Sequence, residues 1–209
     1  MPNKTEILSR LIESYDHSAQ EYAGADTPER VTQFIAEQLD FFISQLPSGF
    51  SNQRVLDLGS GPGDASVYLK EKFGITPECV DISPAMLELC ASKGLPIRQG
   101  DFSNLPDADE SVTGVFMNFS FLHIPKSEIP EVLREINRVI CYEGVLQVTL
   151  FEGQGEGFEK KTKYLHPRFF SYYQQTELRD IVGEQFEIIR EARLENRQRN
   201  LLSITGKAS

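Results

Sequence analysis

Apolar residues near the N-terminus recur at helical spacing, and further along the chain they gather into short unbroken runs. Ile7, Leu8, Leu11, Ile12, Tyr15, Ala19 and Tyr22 share one face, which predicts an amphipathic helix ended by Gly24-Ala25-Asp26. Val31, Phe34, Ile35, Leu39, Phe42, Ile43 and Leu46 form a second stripe, opened by Thr27 with Pro28 and stopped at Pro47-Ser48-Gly49. Beyond Gln53 the pattern changes. Strand-like runs at Val55 to Leu58, Ile75 to Asp81, Leu95 to Arg98, Ser111 to Phe119 and Gly144 to Phe151 alternate with helical stripes over Ala65 to Phe73, Pro84 to Ala91 and a segment capped by Ser127 that carries Ile129, Val132, Leu133, Ile136, Val139 and Ile140. Thr176 to Gly183 reads as a last helix, followed by strands at Phe186 to Leu194 and Asn200 to Thr205.

Alternating strands and helices build a parallel sheet with right-handed crossovers. The final two strands are joined by only a few polar residues, too few for a parallel crossover, so they must pair antiparallel. The expected fold is α/β: a doubly wound sheet of about seven strands, mostly parallel with an antiparallel last strand. Residues 1–50 are expected to form a helical lid and residues 51–209 the main domain.

Chemistry enters at Val55-Leu56-Asp57-Leu58-Gly59-Ser60-Gly61-Pro62-Gly63-Asp64, where a strand breaks into a turn with glycine at three alternate positions. Bare backbone beside a helix N-terminus makes a cradle for a nucleotide-like ligand. The spacing is G-x-G-x-G. A dinucleotide fingerprint has its third glycine at the place of Asp64, and a P-loop needs Gly-Lys-Ser/Thr where this chain has Gly63-Asp64-Ala65. A side chain at Gly63 is expected to fill the ligand's space while leaving the fold intact. Asp81 follows the glycines by roughly 20 residues at a strand end, where a carboxylate can accept from both hydroxyls of a ribose. Ser83 and Pro84 supply the cap and first turn of the next helix, which leaves Asp81 for a ligand.

Asp57-Leu58-Gly59-Ser60-Gly61-Pro62-Gly63 resembles motif I of the class I S-adenosylmethionine-dependent methyltransferases, and later stretches fall in that family's order from Gln53 to about Gly206. The resemblance implies S-adenosylmethionine as cofactor. It implies that Asp57, Gly59, Ser60, Gly61 and Gly63 hold it, with Asp81 on the ribose and Ile82 and Met86 near the adenine. Gly100-Asp101-Phe102 looks like the family's adenine-recognition turn, Asn118-Phe119 stands at the fourth motif, and Tyr22 of the first helix closes over the ligand. Tyr15, His123 and His166 are implied as substrate-pocket residues. No catalytic base is assigned.

The fourth motif departs from several branches of the family. Asn118-Phe119-Ser120-Phe121 lacks the prolines of nucleobase and glutamine N-methyltransferases, the cysteine of cytosine C5 enzymes, and the acids that bind a divalent cation in catechol-type enzymes. No metal is expected. The implied activity is methyl transfer to O, N, S or C of a small molecule, releasing S-adenosylhomocysteine. Two alternatives share the same residues: a non-catalytic S-adenosylmethionine-binding protein, and a nicotinamide-dependent oxidoreductase.

A formal net charge of -10 over 209 residues disfavours a nucleic-acid partner, whose affinity comes from clustered Lys and Arg. One basic stretch interrupts this balance: after Gly153-Gln154-Gly155-Glu156-Gly157 come Lys160, Lys161, Lys163 and Arg168, placed to greet an anionic substrate. Cys79, Cys90 and Cys141 are odd in number and far apart, so reduced core thiols are expected. With no signal-like or membrane-spanning run, the expected setting is the cytoplasm.

Overall fold

The computed structural model describes residues 2–23, 31–48, 53–159, 166–195 and 199–209. The predicted Thr27-Pro28 cap and the lysines at 160, 161 and 163 lie outside these residues.

Seven strands form one sheet in the order β3-β2-β1-β4-β5-β9-β8. Its members are β1 (Val55–Leu58), β2 (Glu78–Asp81), β3 (Ile97–Gln99), β4 (Val112–Asn118), β5 (Ile140–Phe151), β8 (Glu187–Leu194) and β9 (Leu201–Lys207). Pairings from β3 through β5 are parallel, whereas β9 lies antiparallel to both β5 and β8. The expected sheet is borne out, and its reversed last strand, β9, sits between β5 and β8. Strand order turns around between β1 and β4, so the carboxyl ends of those strands diverge and leave a crevice.

Helices α3 (Asp64–Phe73), α4 (Pro84–Ser92), α5 (Ile129–Val139) and α6 (Gln175–Gly183) cover the sheet. Ser83 caps α4 by accepting from the Met86 amide, as the Ser-Pro pair predicts. The expected Ser127 cap of α5 is replaced by a one-turn 3-10 helix, Lys126–Glu128, that runs straight into the α-helix. The reason is that Pro130 occupies the first turn of α5 and needs no amide partner.

The two N-terminal helices behave differently. In α2 (Gln33–Gln45), Leu39 and Phe42 are fully buried in a cluster with Val55, Leu69, Phe116 and Val145. A Cβ on Gly114 of β4 would stand 2.6 Å from both Phe42 and Leu46, so strand and helix meet where only glycine fits. Its cap is Thr32, bonded to the Ile35 amide. This helix therefore packs on the core, and its Ile35, with Val31 just before it, also lines the crevice. The first helix, α1 (Lys4–Ala23), lines the crevice with Lys4, Ile7, Leu8, Leu11, Tyr15 and Tyr22. Ile7 and Leu11 pack with Phe169, and Asp16 accepts from Ser83 Oγ and Ala85 N at the head of α4.

The glycine-rich segment after β5, which leads into the basic stretch, opens into a two-stranded antiparallel ribbon of β6 (Glu156–Glu159) and β7 (Arg168–Ser171). Arg168 does not join a basic surface. Its side chain is 2% exposed and donates to Ser14 Oγ at 2.8 Å and Ser18 Oγ at 3.0 Å on α1.

Candidate functional site

A cavity of about 340 Å³ occupies the crevice above β1 and β4, with α1 along one side. Its floor is the glycine turn. Gly59, Gly61 and Gly63 all have left-handed backbone, with φ of +74°, +52° and +81°, and each glycine answers to a different neighbour. A Cβ on Gly59 would lie 2.2 Å from Ser120 Cβ. Ser120 is fixed there because its hydroxyl donates to the Leu58 carbonyl, and because Phe119, itself at φ +60°, turns the chain under the loop. At Gly61 a Cβ would meet nothing within 4 Å, so here the main chain is bare to the cavity. At Gly63 it would drive into Leu95 at 2.7 Å and Cys90 at 2.9 Å, on the inner side of the turn.

Asp81 ends β2 beside this turn. Its two oxygens accept from the amides of Gly61 and Ser83, each at 2.9 Å. It is thus not idle in the absence of ligand, as its freedom from capping duty implied, but ties the glycine turn to the start of α4. Burial pushes its carboxyl up to about 6, against the pull of the Ser83, Gly61 and Ile82 amides. Each oxygen retains a lone pair for a hydroxyl donor.

Asp101, after β3, accepts from the amide and hydroxyl of Ser103, and Lys4 Nζ approaches it at 3.5 Å. Burial alone would raise this carboxyl, but the Ser103 hydrogen bonds and the lysine outweigh it and hold it below the ordinary value. Glu128 stands on the far side of Lys4, at 3.9 Å, and burial lifts its carboxyl. Among the described lining residues the acids are Asp64, Asp81, Asp101 and Glu128, and the only lysine or arginine is Lys4, so the cavity favours a ligand with positive charge.

Asn118, at the end of β4, lines this space. Neither Oδ1 nor Nδ2 has a hydrogen-bond partner, and both are shielded from solvent. A buried amide left so costs about 1 to 3 kcal/mol per group, a cost that a polar ligand removes.

Across the cavity His123, on the 3-10 turn Phe121–His123, places Nε2 2.6 Å from the Tyr15 hydroxyl of α1 and Nδ1 2.6 Å from the Phe169 carbonyl of β7. Tyr22 lines the same wall.

The fold thus brings Tyr15, Tyr22, Gly59, Ser60, Gly61, Asp81, Ile82, Met86, Asp101, Phe102, Asn118, Phe119 and His123 to one cavity. Four expected residues stand outside its lining. Asp57 is buried below the turn and accepts from Ser66 Oγ at 2.8 Å, with its carboxyl driven well up by burial and by Cys79. Gly63 faces the core, and Gly100 serves through its amide, which donates to the Asp81 carbonyl. His166 lies beyond α1, with Nδ1 3.6 Å from Glu13 and its ring against His17. It precedes β7 by two residues and is held against α1 by Glu13, Ser14 and His17, away from the lining. Lys4, Ser120 and Glu128 were not foreseen. No local pattern marks them, since each is placed by contacts from distant parts of the chain.

Residues 55–144 match the family model described as a methyltransferase domain. The chain is 31% identical to a demethylmenaquinone methyltransferase of Thermotoga maritima over 81% of its own length and 68% of that protein's. It is 30% identical to a malonyl-[acyl-carrier protein] O-methyltransferase of Halorhodospira halophila over 66% of its own length, and it spans 46% of that relative. The chain spans about half the length or less of the first curated relatives it matches. Among solved structures, the 1,6-didemethyltoxoflavin-N1-methyltransferase of Burkholderia thailandensis, with 1,6-didemethyltoxoflavin and S-adenosylhomocysteine bound, superposes with a TM-score of 0.76 over 100% of this chain and 92% of that one, at 19% identity.

Proposed function

Because the chain belongs to the class I S-adenosylmethionine-dependent methyltransferases, we propose that it transfers the cofactor's methyl group to a nucleophile on a small molecule and releases S-adenosylhomocysteine. The observation that carries this reading is one acid-lined cavity in which bare backbone at Gly61 lies with Asp81 and with Asn118, whose buried side-chain amide has no partner.

The residues present fit the cofactor. Asp81 would hold the ribose hydroxyls, Asp101 the adenine amino group, and Gly59 to Gly61 would let the ligand lie on the main chain. Asn118 would meet a polar group toward the methionine end, where Phe119 and Ser120 continue the wall. When bound, S-adenosylmethionine supplies an activated methyl on a sulfonium. The chain's own work is then to align the acceptor and keep water out, the proximity term that reaches several kcal/mol in well-oriented reactions. Ile7, Leu8 and Leu11 of α1 close the side of the cavity. In our reading residues 51–209 form the cofactor-binding unit and α1 moves aside for exchange.

A small acceptor is supported by the relatives' small-molecule chemistry and by the enclosed volume, and the acidic balance argues against nucleic acid. No helix among the described residues is long and apolar enough to cross a membrane. The three free, buried thiols support a cytoplasmic setting.

Asn118→Leu separates ligand binding from folding. Its expected result is a tenfold or greater loss of S-adenosylhomocysteine affinity, about 1.4 kcal/mol, with urea stability equal to or above wild type because two stranded polar atoms are gone. Calorimetry and urea unfolding read the two effects. Activity itself is tested by incubating the protein with methyl-labelled S-adenosylmethionine and a fractionated small-metabolite extract. Label appearing in a product, with stoichiometric S-adenosylhomocysteine, is expected; cofactor binding with no labelled product from any fraction would leave a binding protein without transfer.

A further inference from the structure

The two acids that the cofactor reading uses, Asp81 and Asp101, open the same three-residue pattern, Asp-x-Ser: Asp81-Ile82-Ser83 and Asp101-Phe102-Ser103. In each, the serine amide donates to its acid's Oδ1, at 2.9 Å for Ser83 and 2.7 Å for Ser103. In each, the serine hydroxyl then meets one residue of α1. Ser83 Oγ gives its hydrogen to Asp16 Oδ1 at 2.5 Å and accepts from the Met86 amide, whereas Ser103 Oγ gives its hydrogen to Asp101 and accepts from Lys4 Nζ at 2.5 Å. Both arrangements use the one hydrogen and the lone pairs that a hydroxyl has.

Lys4 and Asp16 lie roughly 18 Å apart along α1, at 1.5 Å of rise per residue. Between them Ile7, Leu8 and Leu11 line the cavity. One end of the helix is thereby tied to the turn after β3 and the other to the head of α4, beside Asp81. The tie at Lys4 is of the kind that water and salt weaken: its side chain is 39% exposed, and it stands 3.5 Å from Asp101 and 3.9 Å from Glu128. Elsewhere α1 is held by contacts that need no ligand, with Ile7 and Leu11 against Phe169 and the Tyr15 ring under the Arg168 guanidinium at 3.8 Å. A ligand in the cavity changes this balance, because it touches α1 only while α1 is docked. Burial chiefly raises the Asp81 carboxyl and the charge of Asp16 adds to it, so ribose hydroxyls that donate to Asp81 also offset the repulsion that Asp16 brings.

Building on the methyl-transfer reading, we propose that Lys4 and Asp16 are positioning residues that act through Ser103 and Ser83 to fix α1 on the two turns that hold the cofactor. Cofactor binding and α1 docking are then one coupled event. The coupling is reciprocal: the bound cofactor favours docked α1 by the same factor by which docked α1 favours the cofactor. The apolar wall that Ile7, Leu8 and Leu11 offer an acceptor is firm only over a bound cofactor. Each of the two residues acts through a serine and the acid behind it, and no reacting atom is involved.

Hydrogen exchange of the full chain, read by mass spectrometry with and without saturating S-adenosylhomocysteine, tests this without turnover. In wild type the ligand should slow exchange in α1 about fivefold or more beyond its effect on α6, which has no residue in the cavity lining. Lys4→Met, Ser103→Ala and Asp16→Ala should each weaken S-adenosylhomocysteine binding about three- to fivefold, the size of a partly exposed charged contact. Because Lys4 and Ser103 belong to one tie, their double variant should lose no more than either alone, and Lys4→Arg should keep the wild-type response. Lys4→Met combined with Asp16→Ala cuts both ties and should abolish the extra slowing in α1. A merely structural role would loosen α1 equally with and without ligand. Protection of α1 in wild type that ignores the ligand, losses that multiply in the Lys4 and Ser103 double variant, or faster exchange in α1 with the ligand's effect and affinity unchanged would overturn the proposal. If Asp16→Ala unfolds α1 even without ligand, the Lys4 and Ser103 variants decide. Failure of wild type to bind S-adenosylhomocysteine, read by calorimetry beforehand, would instead remove the methyl-transfer reading beneath it.

Discussion

Asp81→Asn should bind S-adenosylhomocysteine about 10- to 150-fold more weakly than wild type near neutral pH, the equivalent of about 1.5 to 3 kcal/mol for hydrogen bonds to a charged group. Its second signature is in the pH dependence. The carboxyl's usual value of 3.8 is raised to about 6 in the folded chain, chiefly by burial. Between these values the folded protein binds more protons than the unfolded one. The group's contribution to stability is therefore complete below 3.8 and is lost as pH rises through about 6. The loss amounts to about 3 kcal/mol, from a shift of roughly two units at 1.36 kcal/mol each.

Ligand binding has the opposite sign. Ribose hydroxyls donate to the ionised carboxylate, so wild-type affinity should fall as pH drops through about 6, and the Asn variant should lack that inflection. Calorimetric titrations and urea unfolding between about pH 4.5 and 7.5 check both curves. Equal affinity of the two proteins at every pH would reduce Asp81 to a bracket between the glycine turn and α4.

Gly63→Val should cost the fold about 2 to 5 kcal/mol. The strained left-handed backbone contributes about 1 to 2, and forcing a side chain into packed neighbours about 1 to 3. The neighbours are Leu95 and Cys90, under 3 Å from where the Cβ would stand, with φ at +81°. The sequence suggested a different outcome, a folded protein with a blocked cofactor site. That outcome moves to Gly61→Val: at φ +52° it carries backbone strain but meets no neighbour, and its side chain stands over the cavity floor. Urea midpoints for the pair, with S-adenosylhomocysteine titrations of whatever remains folded, distinguish the roles. Gly63→Val as stable as wild type would contradict the packing derived for this turn.

The glycine turn shows what local sequence carries and what it leaves out. Alternate glycines after an apolar run announce a tight turn at a strand end, and Asp81 and Asp101 announce themselves by ending the next strands in register. The order of elements was legible for the same reason, since hydrophobic period and cap residues are local properties. The separate reasons for Gly59, Gly61 and Gly63 were not, because Ser120, open space and Leu95 reach them only through tertiary packing. Arg168 read as part of a charge run and is instead a buried support for Tyr15, because β7 pairs with β6 and turns it toward α1. Similarly, α2 has the stripe expected of any amphipathic helix. Nothing in that stripe says that it packs on β4 at Gly114 while Ile35 also reaches the cavity.

The most direct measurement of the central claim is an isothermal titration of the wild-type chain with S-adenosylhomocysteine, S-adenosylmethionine and reduced nicotinamide adenine dinucleotide in parallel. The account predicts one site per chain for the first two, competing with each other, and no heat from the third. Saturable binding of the dinucleotide, or no binding of either sulfur ligand up to millimolar concentration, would contradict it.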